Sequence, residues 1–150
     1  MLQTYGVLET SLYVSDIERA DKFYSEVLRL PRVRKQIERE LAYRCGDCIL
    51  IFFRAEATRT QTHLPPHAAE GTGHLAFRIR REDIASWRSH LASCGVPIEQ
   101  EIPWPRGGHS IYFRDPDGNC IELATVTVWP VSLAHLIKAE AESNTLHLSY

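Results

Sequence analysis

The stretch Arg114-Asp115-Pro116-Asp117-Gly118-Asn119-Cys120-Ile121-Glu122-Leu123-Ala124 places a carboxylate, Glu122, inside what reads as a buried strand. Stripping an ionised carboxylate of water costs several kcal/mol unless a partner replaces the lost hydration. Two other strand-like stretches carry chemistry-bearing residues: Glu9 in Val7–Val14 and His74 in Gly73–Arg80. Strand alternation puts Glu9 on one face with Ser11 and Tyr13, His74 with Ala76 and Arg78, and Glu122 with Cys120 and Ala124. The opposite faces carry Leu12, Val14, Leu75, Phe77, Ile79, Ile121 and Leu123, material that helices would cover. Sheets closing toward each other would bring Glu9, His74 and Glu122 together in a polar concavity.

Other reactive residues carry weaker signals. Cys45-Gly46-Asp47-Cys48 has a spacing that serves zinc or redox chemistry elsewhere. Cys94 and Cys120 do not form a second pair, however, and Gly46-Asp47 reads as the centre of a hairpin turn with a cysteine on each flanking strand. The cysteines are expected as small core thiols kept reduced. His63 and His67 stand four apart, but Pro65-Pro66 between them forbids the helix that would align them.

The elements that must position these groups are legible as strands of period two and two amphipathic helices. A strand over 7–14 is followed by a helix over 15–30. Ser15 is its expected N-cap, Glu18 completes a capping box, and Ile17, Ala20, Phe23, Tyr24, Val27 and Leu28 form its buried stripe. Three strands follow, over 32–40, 41–46 and 47–53. The second half repeats the order: a strand over 73–80, a helix over 82–95 with Ile84, Trp87, Leu91 and Cys94 inward and Gly95 at C′, then strands over 96–104, 109–115 and 119–126. Asp115–Asn119 is a turn. Each half is therefore βαβββ, and Glu9 falls on His74 as Leu50 falls on Glu122. The expected class is α+β: one domain over 1–130 made of modules at about 7–53 and 73–127, joined by a Pro-, Thr- and His-rich linker over 54–72. Residues 131–150 read as an added helix and tail, with Leu133, Leu136 and Ile137 on one stripe.

Composition narrows the partners. The chain has 150 residues, 44% hydrophobic and 24% charged, with a net charge of −2. That is ordinary globular material with no basic footprint for nucleic acid. No apolar run approaches a membrane span, and the first residues lack the basic and apolar regions of a signal peptide, so a cytoplasmic location is expected.

Together "LETSLYVSDIERADKFYSEVLRL", "GHLAFRI" and "SIYFRDPDGNCIEL" resemble the vicinal oxygen chelate superfamily, which includes glyoxalase I, extradiol dioxygenases, fosfomycin-resistance enzymes and bleomycin-resistance proteins. The resemblance implies paired βαβββ modules forming an open cup of mixed sheet with helices on its outer face and one metal inside. The implied ligand positions are Glu9, Leu50, His74 and Glu122, of which Leu50 cannot bind metal. One imidazole and two carboxylates suit one divalent ion, Mn, Fe, Ni, Zn or Mg, with positions open for two neighbouring substrate oxygens. Glu122 and Glu9 are the expected proton-transferring groups, and Tyr13, Arg78, His109 and Tyr112 the expected substrate-lining ones. Bland readings stand beside these: a hydrogen-bonded structural role for His74, an ion pair of Glu122 with Arg78 or Arg114, and an exposed strand carboxylate for Glu9. The implied activity is a glyoxalase-like lyase or isomerase acting on a small molecule. The alternatives are an Fe(II) extradiol-type dioxygenase and a non-catalytic drug-binding protein. Superfamily members commonly pair, so a homodimer is expected.

Overall fold

The computed structural model describes residues 2–130, and the expected C-terminal helix lies outside them. The architecture is α+β, as the sequence implies. Two four-stranded mixed sheets each follow the βαβββ pattern. In the first sheet, β1 (Glu9–Tyr13), β4 (Cys48–Phe53), β3 (Glu40–Cys45) and β2 (Arg32–Gln36) lie in that order. β1 runs parallel to β4, and the rest are antiparallel. In the second sheet the order is β5 (His74–Arg78), β8 (Cys120–Ala124), β7 (His109–Arg114) and β6 (Gln100–Pro103). The chain divides into two compact units. One runs to His74 and includes Arg114–Cys120; the other comprises Leu75–Phe113 and, of the described residues, 121–130.

In the first unit, helix α1 (Ile17–Glu26) covers one face of its sheet. All six residues of the expected stripe are buried, from Ile17 to Leu28. Tyr24 stacks on Phe52 with ring centroids 3.9 Å apart, and the Tyr43 hydroxyl donates to Asp21 Oδ1 at 2.6 Å. The N-cap differs from expectation. Asp16 takes that place, accepting from Arg19 N at 3.0 Å. Ser15 is drawn away by Asp117, whose Oδ1 accepts from both the Ser15 amide and its hydroxyl.

The turn over Asp115–Asn119 is held by a single buried carboxylate. Asp115 Oδ1 accepts from the amides of Asp117 and Asn119, at 2.9 and 2.8 Å. Its Oδ2 accepts from the Tyr24 hydroxyl at 2.7 Å and from Asn119 Nδ2 at 2.8 Å. Asn119 Oδ1 in turn accepts from Gly73 N at 2.7 Å. The turn that launches β8 is thus bonded to the helix of the first unit and to the entry of β5.

The second unit carries α3 (Ile84–Ser93); the five-residue α2 (Ala55–Arg59), found inside the expected linker, belongs to the first unit. Of the four residues expected inward on α3, Leu91 is fully buried, Ile84 and Trp87 are half-buried and Cys94 is exposed. Cys94 is the helix C-cap, where the stripe has already rotated outward. Gly95 at φ +69° takes the left-handed C′ position as expected. Among the described residues no helix is long and apolar enough to cross a membrane.

Candidate functional site

Ladder hydrogen bonds decide which side chains share a face. In the first sheet, Ile49 N donates to Leu8 O and Val14 N to Phe53 O, with Glu9 opposite Ile49 and Ser11 opposite Ile51. The second sheet repeats this pattern, with Cys120 N donating to Gly73 O and Ile79 N to Ala124 O. His74 therefore stands beside Cys120, and Ala76 beside Glu122. On β7 the bonds Thr125 N to His109 O and Asp115 N to Asn119 O set Tyr112 opposite Glu122. One face of the second sheet accordingly carries His74, Ala76 and Arg78, then Cys120, Glu122 and Ala124, then Tyr112.

This register corrects the expected match between Leu50 and Glu122. The residue at Glu122's position in the first sheet is Ile51, while Leu50 turns with Phe52 toward α1. The cause is the turn: Gly46-Asp47 is a two-residue connection, whereas Asp115–Asn119 is a longer loop. Aligning the two turn glycines shifts the ladder by one residue. The consequence for metal binding is unchanged, because neither leucine nor isoleucine is a donor.

His74 and Glu122 thus share a face of neighbouring strands. His74 Nδ1 lies 3.1 Å from the Cys120 carbonyl, so Nδ1 carries the proton and the lone pair of the neutral ring sits on Nε2. Glu122 is buried, with 8% of its surface exposed, and Tyr112 is half-buried. Arg78 is exposed.

His109 lies elsewhere. Its Nε2 is 3.0 Å from Glu101 Oε2, and Arg88 of α3 grips the same carboxylate with Nε and Nη2 at 2.8–3.0 Å. The Arg88 guanidinium, aided by His109 and opposed by burial, holds the Glu101 carboxyl below the usual carboxylate range. Glu101 pairs with Ile111, so this network occupies the α3 side of the sheet, opposite to Glu122. Alternation separates His109 from Tyr112 by an odd number of residues, which forbids a common face.

On β1, Glu9 and Ser11 are exposed and Tyr13 is half-buried. Tyr13 is joined by His67, for which no helix is possible. His67 Nδ1 lies 2.6 Å from the Tyr13 hydroxyl, and its ring packs edge-on against Phe53 at 4.9 Å. Burial pushes the Tyr13 hydroxyl pKa upward. The prolines do exclude a helix through His67. An extended segment delivers it instead, pinned by the bond from His67 N to Thr58 O. The preference of the Pro65-Pro66 pair for extended backbone was the signal available in the sequence.

Among the described residues, no group of three or more His, Cys, Asp or Glu side chains is gathered as a metal site. The donor types that the second sheet presents nevertheless suit a divalent ion: an oriented imidazole and a buried carboxylate on one face.

Comparison with known proteins agrees with this architecture. A family model described as the Glyoxalase/Bleomycin resistance protein/Dioxygenase superfamily matches residues 6–123. Glutathione transferase FosA of Serratia marcescens is 32% identical over 126 residues, covering 82% of this chain and 81% of that protein. Metallothiol transferase FosB of Bacillus licheniformis is 30% identical, covering 83% and 77%. The crystal structure of lactoylglutathione lyase from Agrobacterium tumefaciens superposes with a TM-score of 0.81 at 28% identity, covering 87% of this chain and all of that one.

Proposed function

Because the chain belongs to the glyoxalase/bleomycin resistance protein/dioxygenase superfamily, we propose that it is a divalent-metal-dependent enzyme acting on a small molecule with neighbouring oxygens. The observation that carries this reading is the pairing of His74 and Glu122 on one sheet face, with His74 Nδ1 held by the Cys120 carbonyl. That bond selects the tautomer a metal-binding histidine uses and fixes the ring's direction. Glu122, buried on the same face as the exposed His74, supplies the negative charge that an ion would balance. His74 and Glu122 would hold the ion, with Glu9 as the third donor by its place in the duplicated pattern.

A bound divalent ion there supplies Lewis-acid polarisation of substrate oxygens. The remaining work falls to the chain. A carboxylate, Glu122 or Glu9, takes a proton from carbon and returns it to the adjacent one, the isomerisation a glyoxalase-type reaction requires. Arg78 and Tyr112, on the face of Glu122, offer a charge and a hydroxyl that orient a polar substrate. Tyr13 offers a second hydroxyl, its pKa raised by burial.

Thiol transfer is the second reading, favoured by the names of the relatives FosA and FosB. Both readings share a small thiol, because glutathione figures in the names of the transferase and of the lyase alike. We further propose a homodimer, to be checked by light scattering; a monomer at micromolar concentration rejects it. The metal reading is tested by elemental analysis of protein purified without chelator. His74→Ala and Glu122→Ala should each lose the bound ion while circular dichroism shows them folded, and Glu9→Ala should lose less. Stoichiometric metal retained in either of the first two variants overturns it. Parallel α-ketoaldehyde and thiol-transfer assays separate the two reactions.

A further inference from the structure

We infer that Cys45 and Cys48 form a reversible disulfide across the tip of the β3–β4 hairpin, making this tip a thiol-oxidation site. The two cysteines are direct cross-strand partners, at the last pair before the turn. Arg54 N donates to Arg39 O at 2.9 Å, which marks Arg39 and Arg54 as a hydrogen-bonded pair. Counting in twos along the ladder makes Cys45 and Cys48 a hydrogen-bonded pair as well. Such pairs hold their Cα atoms about 5.5 Å apart, inside the roughly 4.4–6.8 Å range of disulfides. Partners in a ladder project to the same face, so the two sulfurs share one side of the sheet. Gly46 occupies the turn at φ +59°, which suits a tight two-residue connection.

Access and chemistry point the same way. Both cysteines are half-buried, within reach of a small reagent. Cys48 Sγ donates to the Ile49 carbonyl at 3.4 Å, as a protonated thiol does. Hydrogen-bonded pairs keep their Cβ atoms somewhat farther apart than disulfides prefer, so the bond is one that thiols reduce readily. The oxidant is a low-molecular-weight disulfide. A thiolate of the pair attacks glutathione disulfide and expels one glutathione thiolate. The second cysteine then attacks the mixed disulfide and expels the other. Two thiols become one disulfide, one glutathione disulfide becomes two glutathiones, and the two protons pass to the glutathione thiolates. The proposal stands apart from the metal reading, because no residue of that site takes part.

The test needs no variant. Trypsin cleaves after Arg44 and Arg54, so both cysteines fall in one peptide, Cys45–Arg54. The folded protein is equilibrated with glutathione disulfide, its remaining thiols are alkylated, and it is digested and weighed. The expected peptide lacks the two thiol hydrogens, takes up no alkylating agent and regains two alkylation sites after reduction with dithiothreitol. Three results overturn the proposal: both cysteines alkylated after oxidation, glutathione left on either cysteine without a bridge, or a cross-link from this peptide to Cys94 or Cys120. Cys45→Ser and Cys48→Ser, where they fold, should each stop at the mixed disulfide.

Discussion

Removing one hydroxyl tests how the turn before β8 is anchored. Tyr24→Phe deletes the hydrogen bond to Asp115 Oδ2, made at 2.7 Å by a side chain with no exposed surface. The ring keeps its contact with Phe52, so little packing is lost. Burial and the neighbouring Asp115 carboxylate push the Tyr24 pKa far upward, so the group is a protonated donor at every accessible pH. A hydrogen bond to a charged acceptor contributes about 1.5–3 kcal/mol. With a urea slope of about 2 kcal/mol/M, a loss of about 2 kcal/mol lowers the unfolding midpoint by about 1 M. Asp115→Ala removes the acceptor, strands the Tyr24 hydroxyl and two backbone amides, and leaves Asn119 Nδ2 with only the Tyr13 carbonyl, a larger loss. In that background Tyr24→Phe should be neutral or stabilising, because it then removes a buried hydroxyl without a partner. The double-mutant cycle should therefore give a coupling of about 1.5–3 kcal/mol. Additivity within about 0.5 kcal/mol would show instead that the hydroxyl and carboxylate do not stabilise each other and that Tyr24 does not anchor the turn.

Asp21 sets an acid limit on stability. Burial opposes its charge, but hydrogen bonds from Lys35 and Tyr43 and the charge of Arg32 outweigh it and lower its pKa. A depressed carboxylate contributes stability that is full above its unfolded value, about 3.9, and is lost as pH falls through the folded one. Asp21→Asn should therefore flatten the acid limb of a melting-temperature profile, and an unchanged limb would contradict it. At Gly108 an added Cβ would lie 2.7 Å from Val128 N and 2.8 Å from its Cα, and backbone yields poorly. Gly108→Ala should cost about 1–3 kcal/mol in urea unfolding; wild-type stability would show that this loop gives way.

Much of the positioning framework was legible because it rests on local periodicity. The α1 stripe and the polar faces around Glu9, His74 and Glu122 follow from alternation that one strand or helix carries by itself. What the sequence hid depends on partners distant along the chain. Ser15 looked like the N-cap until Asp117, 102 residues away, took its hydroxyl. Leu50 looked equivalent to Glu122 because the turn glycines align, while the hydrogen-bonded ladder counts loop residues that a sequence match ignores. His109 and Tyr112 cannot both face Glu122, a point that alternation already contained. His67 was set aside for want of a helix, although an extended segment serves as well.

The loop Arg114–Cys120 belongs to the compact unit built by the first 74 residues. During synthesis, Tyr24 emerges from the ribosome about ninety residues before its acceptor, Asp115. The N-terminal half therefore waits, with a buried hydroxyl unanswered and the start of α1 lacking Asp117, until residue 120 is free. Fragments ending near residue 72 should lack this closure and be open to proteases and chaperones. Folding of the first half is thereby timed by the arrival of the strand that carries Glu122.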